Sequence, residues 1–181
     1  APQPGVSRLR AKVIDFFTGR RLYEFHDLSP QALLAAAARI RRFRPRIVSG
    51  YPSVLGDLAW ACRDAGVHLR DAGVSLVHTQ SEMLMDLQRV AIAELFGDVP
   101  VLNEYGGVEV GAMAYGCPAG NLHISHEHVF LETVDDAGVP SPPDIAGRIL
   151  LTPLRARAMP LIRYDVGALG ALSKVPCTCG R

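Results

Sequence analysis

RIVSGYPSVLGDLAWACRDAGVHLRDAGVSLVHT, Arg46 to Thr79, opens with a short β-branched run closed by glycine and ends with a second such run, Val74 to Thr79. Between them, Val54, Leu58, Ala61 and Ala65 recur at helical spacing. The order is strand, turn, helix, strand. Upstream, Ser29 followed by Pro30 gives a helix start, with QALLAAAARIRRF running on until Pro45 stops it. Arg39, Arg41, Arg42 and Arg44 gather near its end, which suits the negative pole of a helix dipole and an exposed face. Downstream, SEMLMDLQRVAIAELFG predicts another helix, with Ser81 as its N-cap, one face marked by Leu84, Leu87, Ala91 and Leu95, and Gly97 as C-cap. PVLNEYGG then gives a third strand running into a glycine turn. Alternation of this kind predicts an α/β fold around a parallel sheet, with ligands at the carboxyl ends of the strands.

Beyond about residue 120 the pattern changes. LHIS, VFLETVDD, GRILLTPL, MPLIRYDV and ALGALSKV are strand-like runs separated by turn sequences such as DDAG and SPPD. The expected organisation is a loop or linker lead-in over 1–27, an α/β segment over 28–116 and a mostly β module over 117–181. APQPG at the start reads as loop.

Composition excludes more than it selects. With 181 residues and 49% hydrophobic content the chain can bury a core, and a net charge of +1 demands neither nucleic acid nor a membrane surface. No apolar stretch reaches the length of a membrane span, and the start lacks the basic-then-apolar order of a signal peptide, so a cytoplasmic protein is expected. Met83, Leu84, Met85 and Leu87 read as core or pocket lining, Trp60 as core, and Cys62 as a buried apolar residue on its helix. Cys177 and Cys179, one residue apart, call for a metal more than for a disulfide.

Three stretches together, GYPSVL with HTQSEML, NEYGGVEVG, and GRILLTPLRARAMPLIRYDVG, resemble the adenylate-forming acyl-CoA ligases. The closing CTCGR resembles the Cys-x-Cys-Gly-Arg of the phenylacetate-CoA ligase and capsule-biosynthesis ligase branch. The resemblance covers about residues 28–181. It implies part of that family's large N-terminal domain, and a reaction in which ATP and a small carboxylic acid give an acyl-adenylate, followed by transfer to CoA as a thioester or to an amine as an amide. A homodimer is a further expectation, and no nucleic-acid or membrane partner is implied.

Residue by residue, the resemblance makes Tyr105 the ring that stacks on adenine, flanked by Asn103 and Glu104, with Gly106 allowing close backbone approach. Glu109 would coordinate Mg and Arg163 would support the ribose-phosphate side of ATP or AMP. Ser81 and Glu82 would stand in the wall between acyl pocket and nucleotide. Cys117 and His123, at the branch's Cys-x5-His spacing, would join Cys177 and Cys179 in a structural zinc site closed by four protein ligands, with His126 and His128 as rival ligands.

Two departures favour an alternative reading, a degenerate zinc-stapled binding or interaction module. Family members read Arg-Tyr-x-x-Gly-Asp with a ribose-binding aspartate, where this chain has Ala168, and Val108 stands where a polar residue serves the phosphates. Asp165, three residues from Ala168 on an extended segment, should face the other side. Neither the family's phosphate loop nor its lysine-bearing C-terminal domain can be recognised, so a segment inactive by itself is expected.

Overall fold

The computed structural model describes residues 13–15 and 17–180. The opening APQPG and the final Arg181 lie outside the described residues.

Helix α1, Pro30–Phe43, starts where proline's fixed φ suits the first turn, and the Ser29 hydroxyl accepts from Ala32 N–H at 3.4 Å. It ends at Arg44, in the left-handed region at φ 55°. Arg39, Arg41, Arg42 and Arg44 at this end are exposed, as expected of a solvated helix end. Strand β1 is Ile47–Gly50, helix α2 is Pro52–Asp64 and strand β2 is Leu76–Gln80. The buried stripe of α2 is Leu55, Leu58, Ala59 and Cys62, so the core face is rotated from the expected Val54, Leu58, Ala61 and Ala65 and only Leu58 is common to both. Spacing alone could not choose between two apolar rows that overlap on so alanine-rich a helix. Cys62 is fully buried, as expected, whereas Trp60 is only half-buried.

Helix α3 departs from expectation at its start. It spans Asp86–Phe96, and Ser81 is not its N-cap: Ser81 has φ 69° and lies five residues upstream. The first turn is closed instead by Gln88, whose side-chain oxygen accepts from Met85 N–H at 3.0 Å. Its buried residues are Ile92, Leu95 and Phe96, while Met83, Met85 and Leu87 are exposed rather than lining a core or pocket. Gly97 does end the helix, at φ 91°.

Strand β3 is Val101–Gly107, β4 Gly111–Gly116 and β5 Leu122–Ile124. They complete a five-stranded sheet in the order β1-β2-β3-β4-β5, parallel from β1 to β3 and antiparallel from β3 to β5. The parallel portion is as expected, and the antiparallel hairpin extends the same sheet. A second, antiparallel sheet holds β6 (Val129–Val134), β7 (Gly147–Pro153) and β8 (Tyr164–Gly170). MPLIRYDV and ALGALSKV, which read as two runs, contribute to the single strand β8, whose pairing with β7 shifts register between Arg148 and Leu150.

One core lies between the three helices and the inner face of β1–β3, with Leu33, Leu58, Leu69, Val77 and Ile92 among its members. Burying side chains of this kind contributes about 1.5–3 kcal/mol each. A smaller cluster of Met113, Val129 and Leu151, flanked by Tyr105, Ile124, Tyr164 and Val166, joins the two sheets. That joint fixes the NEYGG strand against the β8 segment. No helix among the described residues is long and apolar enough to cross a membrane.

Candidate functional site

The two cysteine segments, sixty residues apart in sequence, meet. Each makes a tight turn: Gly120 N–H donates to the Cys117 carbonyl at 2.9 Å, and Gly180 N–H to the Cys177 carbonyl at 3.0 Å. Both glycines have positive φ, 85° and 86°, the conformation that lets a chain fold back around a ligand-bearing cysteine. His123 is brought in on β5, opposite Tyr115 of β4. The Sγ atoms of Cys117, Cys177 and Cys179 and a ring nitrogen of His123 all lie within 4.8 Å of one another.

The donor geometry fits a tetrahedral ion. Zn–S bonds of about 2.3 Å place two thiolates about 3.8 Å apart across a tetrahedral edge. Cys117 Sγ and Cys177 Sγ are 3.7 Å apart, and Cys179 Sγ lies 3.3 Å from His123 Nε2. The Asn121 amide donates to Cys177 Sγ at 3.3 Å, and this hydrogen bond, with that from the Cys179 backbone, holds the Cys177 thiol down at about 6. The residues present thus suit a soft divalent metal. His126 and His128 are not in the cluster.

The NEYGG motif, residues 103–107, forms the end of β3 and leads into the hairpin turn to β4. Strand alternation divides its residues between two faces of the sheet. Asn103 Oδ1 accepts from the hydroxyl of buried Thr79 at 2.9 Å, and Tyr105 packs into the inter-sheet cluster, where burial pushes its phenol up. Glu104 points to the opposite face, its Oε2 3.2 Å from His78 Nε2. Asn103 and Tyr105 therefore share a face that Glu104 does not. Glu109 stands exposed in the turn with its carboxylate over Gly107, and Val108 beside it is fully exposed.

Gly106 is required by the fold itself. A Cβ there would lie 2.7 Å from the Gly111 carbonyl oxygen and 3.1 Å from Ala112 Cα, both backbone atoms of the partner strand. Gly106→Ala is expected to destabilise the chain by about 1–3 kcal/mol, read as an earlier urea midpoint. An unchanged midpoint would show that the hairpin yields without cost.

Glu82 has a role that sequence reasoning missed. Its carboxylate accepts from Ser53 N–H and from Ser53 Oγ, both at 3.0 Å. Ser53 is in the first turn of α2, whose N-cap residue Tyr51 makes no side-chain cap, so Glu82 closes that helix terminus from 29 residues away. Local sequence carries no signal for so distant a partner.

Arg163, at φ 49°, donates from Nε to Glu132 Oε2 at 3.3 Å, and its backbone N–H donates to Thr152 Oγ1. Asp165 accepts from Gly167 N–H at 2.9 Å and from Arg148 at 2.6 Å, contacts that hold its carboxyl below the usual range. Its carboxylate is thus already engaged.

No family model matches the chain. A phenylacetate-coenzyme A ligase from Thermus thermophilus is 33% identical over 147 residues, which is 78% of this chain and 33% of the relative. The chain therefore spans about a third of the length of the curated relative it matches. Among solved structures, an open conformation of 2-hydroxyisobutyryl-CoA ligase, in complex with 2-HIB-AMP and CoA, superposes with a TM-score of 0.72 at 20% identity, covering 84% of this chain and 37% of that one. An anthranilate CoA ligase in complex with anthranoyl-AMP gives a TM-score of 0.57 at 22% identity, covering 74% and 26%. At these identities the structural likeness establishes the fold.

Proposed function

As a homologue of phenylacetate-coenzyme A ligase, this chain belongs to the adenylate-forming acyl-CoA ligases, and we propose that it supplies part of the site at which ATP activates a small carboxylic acid. The acyl-adenylate would then pass its acyl group to CoA or, in an amide-forming variant, to an amine. The observation that carries this reading is the position of NEYGG on the third parallel strand, entering a hairpin turn that leaves Glu109 in solvent. Ligands of open α/β sheets bind at the carboxyl ends of such strands.

Within this reading Tyr105 offers the uncovered part of its ring to adenine, and Asn103 shares its face. Glu109 supplies a hard oxygen donor for Mg, which neutralises phosphate charge when bound. Arg163 supports the nucleotide from the residue just before β8. Ser81 and Glu82 border the acyl side, with Glu82 fixed in place by Ser53. The zinc held by Cys117, His123, Cys177 and Cys179 has a structural role, tying the loop after β4 to the chain beyond β8. The cysteines form no disulfide among the described residues, which suits a reducing, cytoplasmic setting.

Calorimetry with AMP, ATP and Mg tests the nucleotide reading. Restoring the ribose contact should strengthen it: Ala168→Asp is expected to tighten AMP binding about 10-fold or more, since a hydrogen bond to a charged group contributes about 1.5–3 kcal/mol. Absence of nucleotide binding by both the folded, zinc-loaded chain and the Ala168→Asp variant would defeat it. That result would favour the second reading, a non-catalytic zinc-stapled module, which the engagement of Asp165 by Arg148 and Gly167 supports by removing the nearest substitute for the ribose aspartate.

A further inference from the structure

The four side chains of the cysteine–histidine cluster divide into two pairs. Cys117 Sγ and Cys177 Sγ lie 3.7 Å apart, whereas Cys179 Sγ faces His123 Nε2 at 3.3 Å. Each pair takes one member from the β4–β5 hairpin and one from the stretch beyond β8. One pair is thiol against thiol, and that pair has a chemistry of its own.

A disulfide needs its sulfurs about 2.0 Å apart. Cys117 and Cys177 can close the remaining distance through side-chain rotation and a small shift of two turns. Both cysteines open a turn closed by its own backbone hydrogen bond, from Gly120 N–H to the Cys117 carbonyl and from Gly180 N–H to the Cys177 carbonyl. Neither bond ties one turn to the other, so either can move without unpairing a strand. A contact that needs no metal already holds the pair together: the Asn121 amide, from the Cys117 turn, donates to Cys177 Sγ at 3.3 Å.

The competing pair is disfavoured. Cys177 and Cys179 are separated by Thr178 alone, so a bond between them would close a small ring containing two planar peptide groups. Cys62 is fully buried in the helical core and lies outside the cluster. Oxidation is therefore directed to one pair.

We propose that Cys117 and Cys177 are an oxidation-sensitive pair, which a peroxide converts to a disulfide with loss of the metal; this rests on the zinc reading above. One sulfur attacks the peroxide O–O bond, gaining a hydroxyl as a sulfenic acid while the other oxygen leaves. The second sulfur attacks the first, so the S–S bond forms, the S–O bond breaks and that oxygen also leaves. With hydrogen peroxide the net change is two thiols plus one peroxide to one disulfide plus two waters, the sulfurs being oxidised and the peroxide reduced. Cys179 and His123 are then the only ligands left, too few for a closed tetrahedral site. The hairpin and the distal stretch stay joined, now by a covalent bond in place of a metal.

Treating the zinc-loaded chain with hydrogen peroxide tests this, with zinc release read by a colorimetric chelator and the peptides mapped by mass spectrometry without reduction. The expected result is loss of the zinc, a linked Cys117–Cys177 peptide pair lighter by two hydrogens, and a Cys179 thiol still open to alkylation. The melting temperature of the oxidised chain should no longer respond to chelator, and dithiothreitol with added zinc should restore that response. Cys177→Ser should yield no linked pair. Zinc retained with Cys117 and Cys177 unlinked after peroxide overturns the proposal, and so does a bond between Cys177 and Cys179. A chain that binds no zinc yet forms the Cys117–Cys177 bond supports the pairing and sinks the metal reading alone.

Discussion

Stripping the chain of metal with a chelator is expected to lower its melting temperature by about 8–16 °C. The figure follows from linkage: zinc present at about 1,000 times its dissociation constant adds about 4 kcal/mol to the folded state. In a domain of this size each kcal/mol moves the midpoint by about 2–4 °C. The effect should be large because the four candidate ligands come from two segments far apart in sequence, the β4–β5 hairpin with Cys117 and His123, and the stretch beyond β8 with Cys177 and Cys179. Cys179→Ser should reproduce most of the loss, since a hydroxyl is a poor ligand for zinc, and the chelator should then add little more. Differential scanning fluorimetry with elemental analysis checks both numbers. Substoichiometric zinc together with a midpoint that ignores chelator and Cys179→Ser would mean that the cluster is only a set of packed thiols.

Asn121→Ala probes the same site more gently. Its amide hydrogen bond to Cys177 Sγ stabilises a thiolate from outside the ligand set, and loss of such a partner costs roughly 10–100-fold in metal affinity. Competition with a colorimetric chelator reads this directly, and it leaves all four ligands in place. The signal for Asn121 was available in the sequence, between Cys117 and His123, but only the folded turn shows where its amide points.

The order of strands and helices was legible where helices carry local punctuation: Ser29-Pro30 before α1, Pro45 after it, Gly97 after α3. Facing was less legible. In α2, alanines and leucines on adjoining rows give two plausible stripes, and contact with α1 and α3 decides between them. In α3, Ser81 had the chemistry of an N-cap but the wrong backbone, since φ 69° turns the chain away before the helix begins. The clustering of Cys117, His123, Cys177 and Cys179 was legible because two tight pairs of uncommon residues survive as patterns however the chain folds between them. Glu82 capping α2, and Ser49 of β1 meeting His78 of β2, depend on contacts between distant segments, which no local pattern encodes.

Tyr105 joins the structural and functional arguments, and its substitution should separate them. Its ring packs with Met113, Val129 and Leu151 where the two sheets meet, so removing it opens a gap that both sheets border. Tyr105→Ala is expected to destabilise the chain by about 3 kcal/mol, the bottom of the range for truncating an aromatic because the ring is only half-buried. Tyr105→Phe keeps the packing and the π face while removing only the hydroxyl, so its urea midpoint should stay near that of the wild type. If adenine stacks on this ring, Tyr105→Phe should retain AMP affinity. Tyr105→Leu, which fills much of the same space without a π system, should lose about 1–3 kcal/mol of binding, by analogy with alanine substitutions at base-stacking aromatics. Equal AMP affinity in Tyr105→Phe and Tyr105→Leu would remove the ring from the nucleotide site and leave it as the bolt between the two sheets.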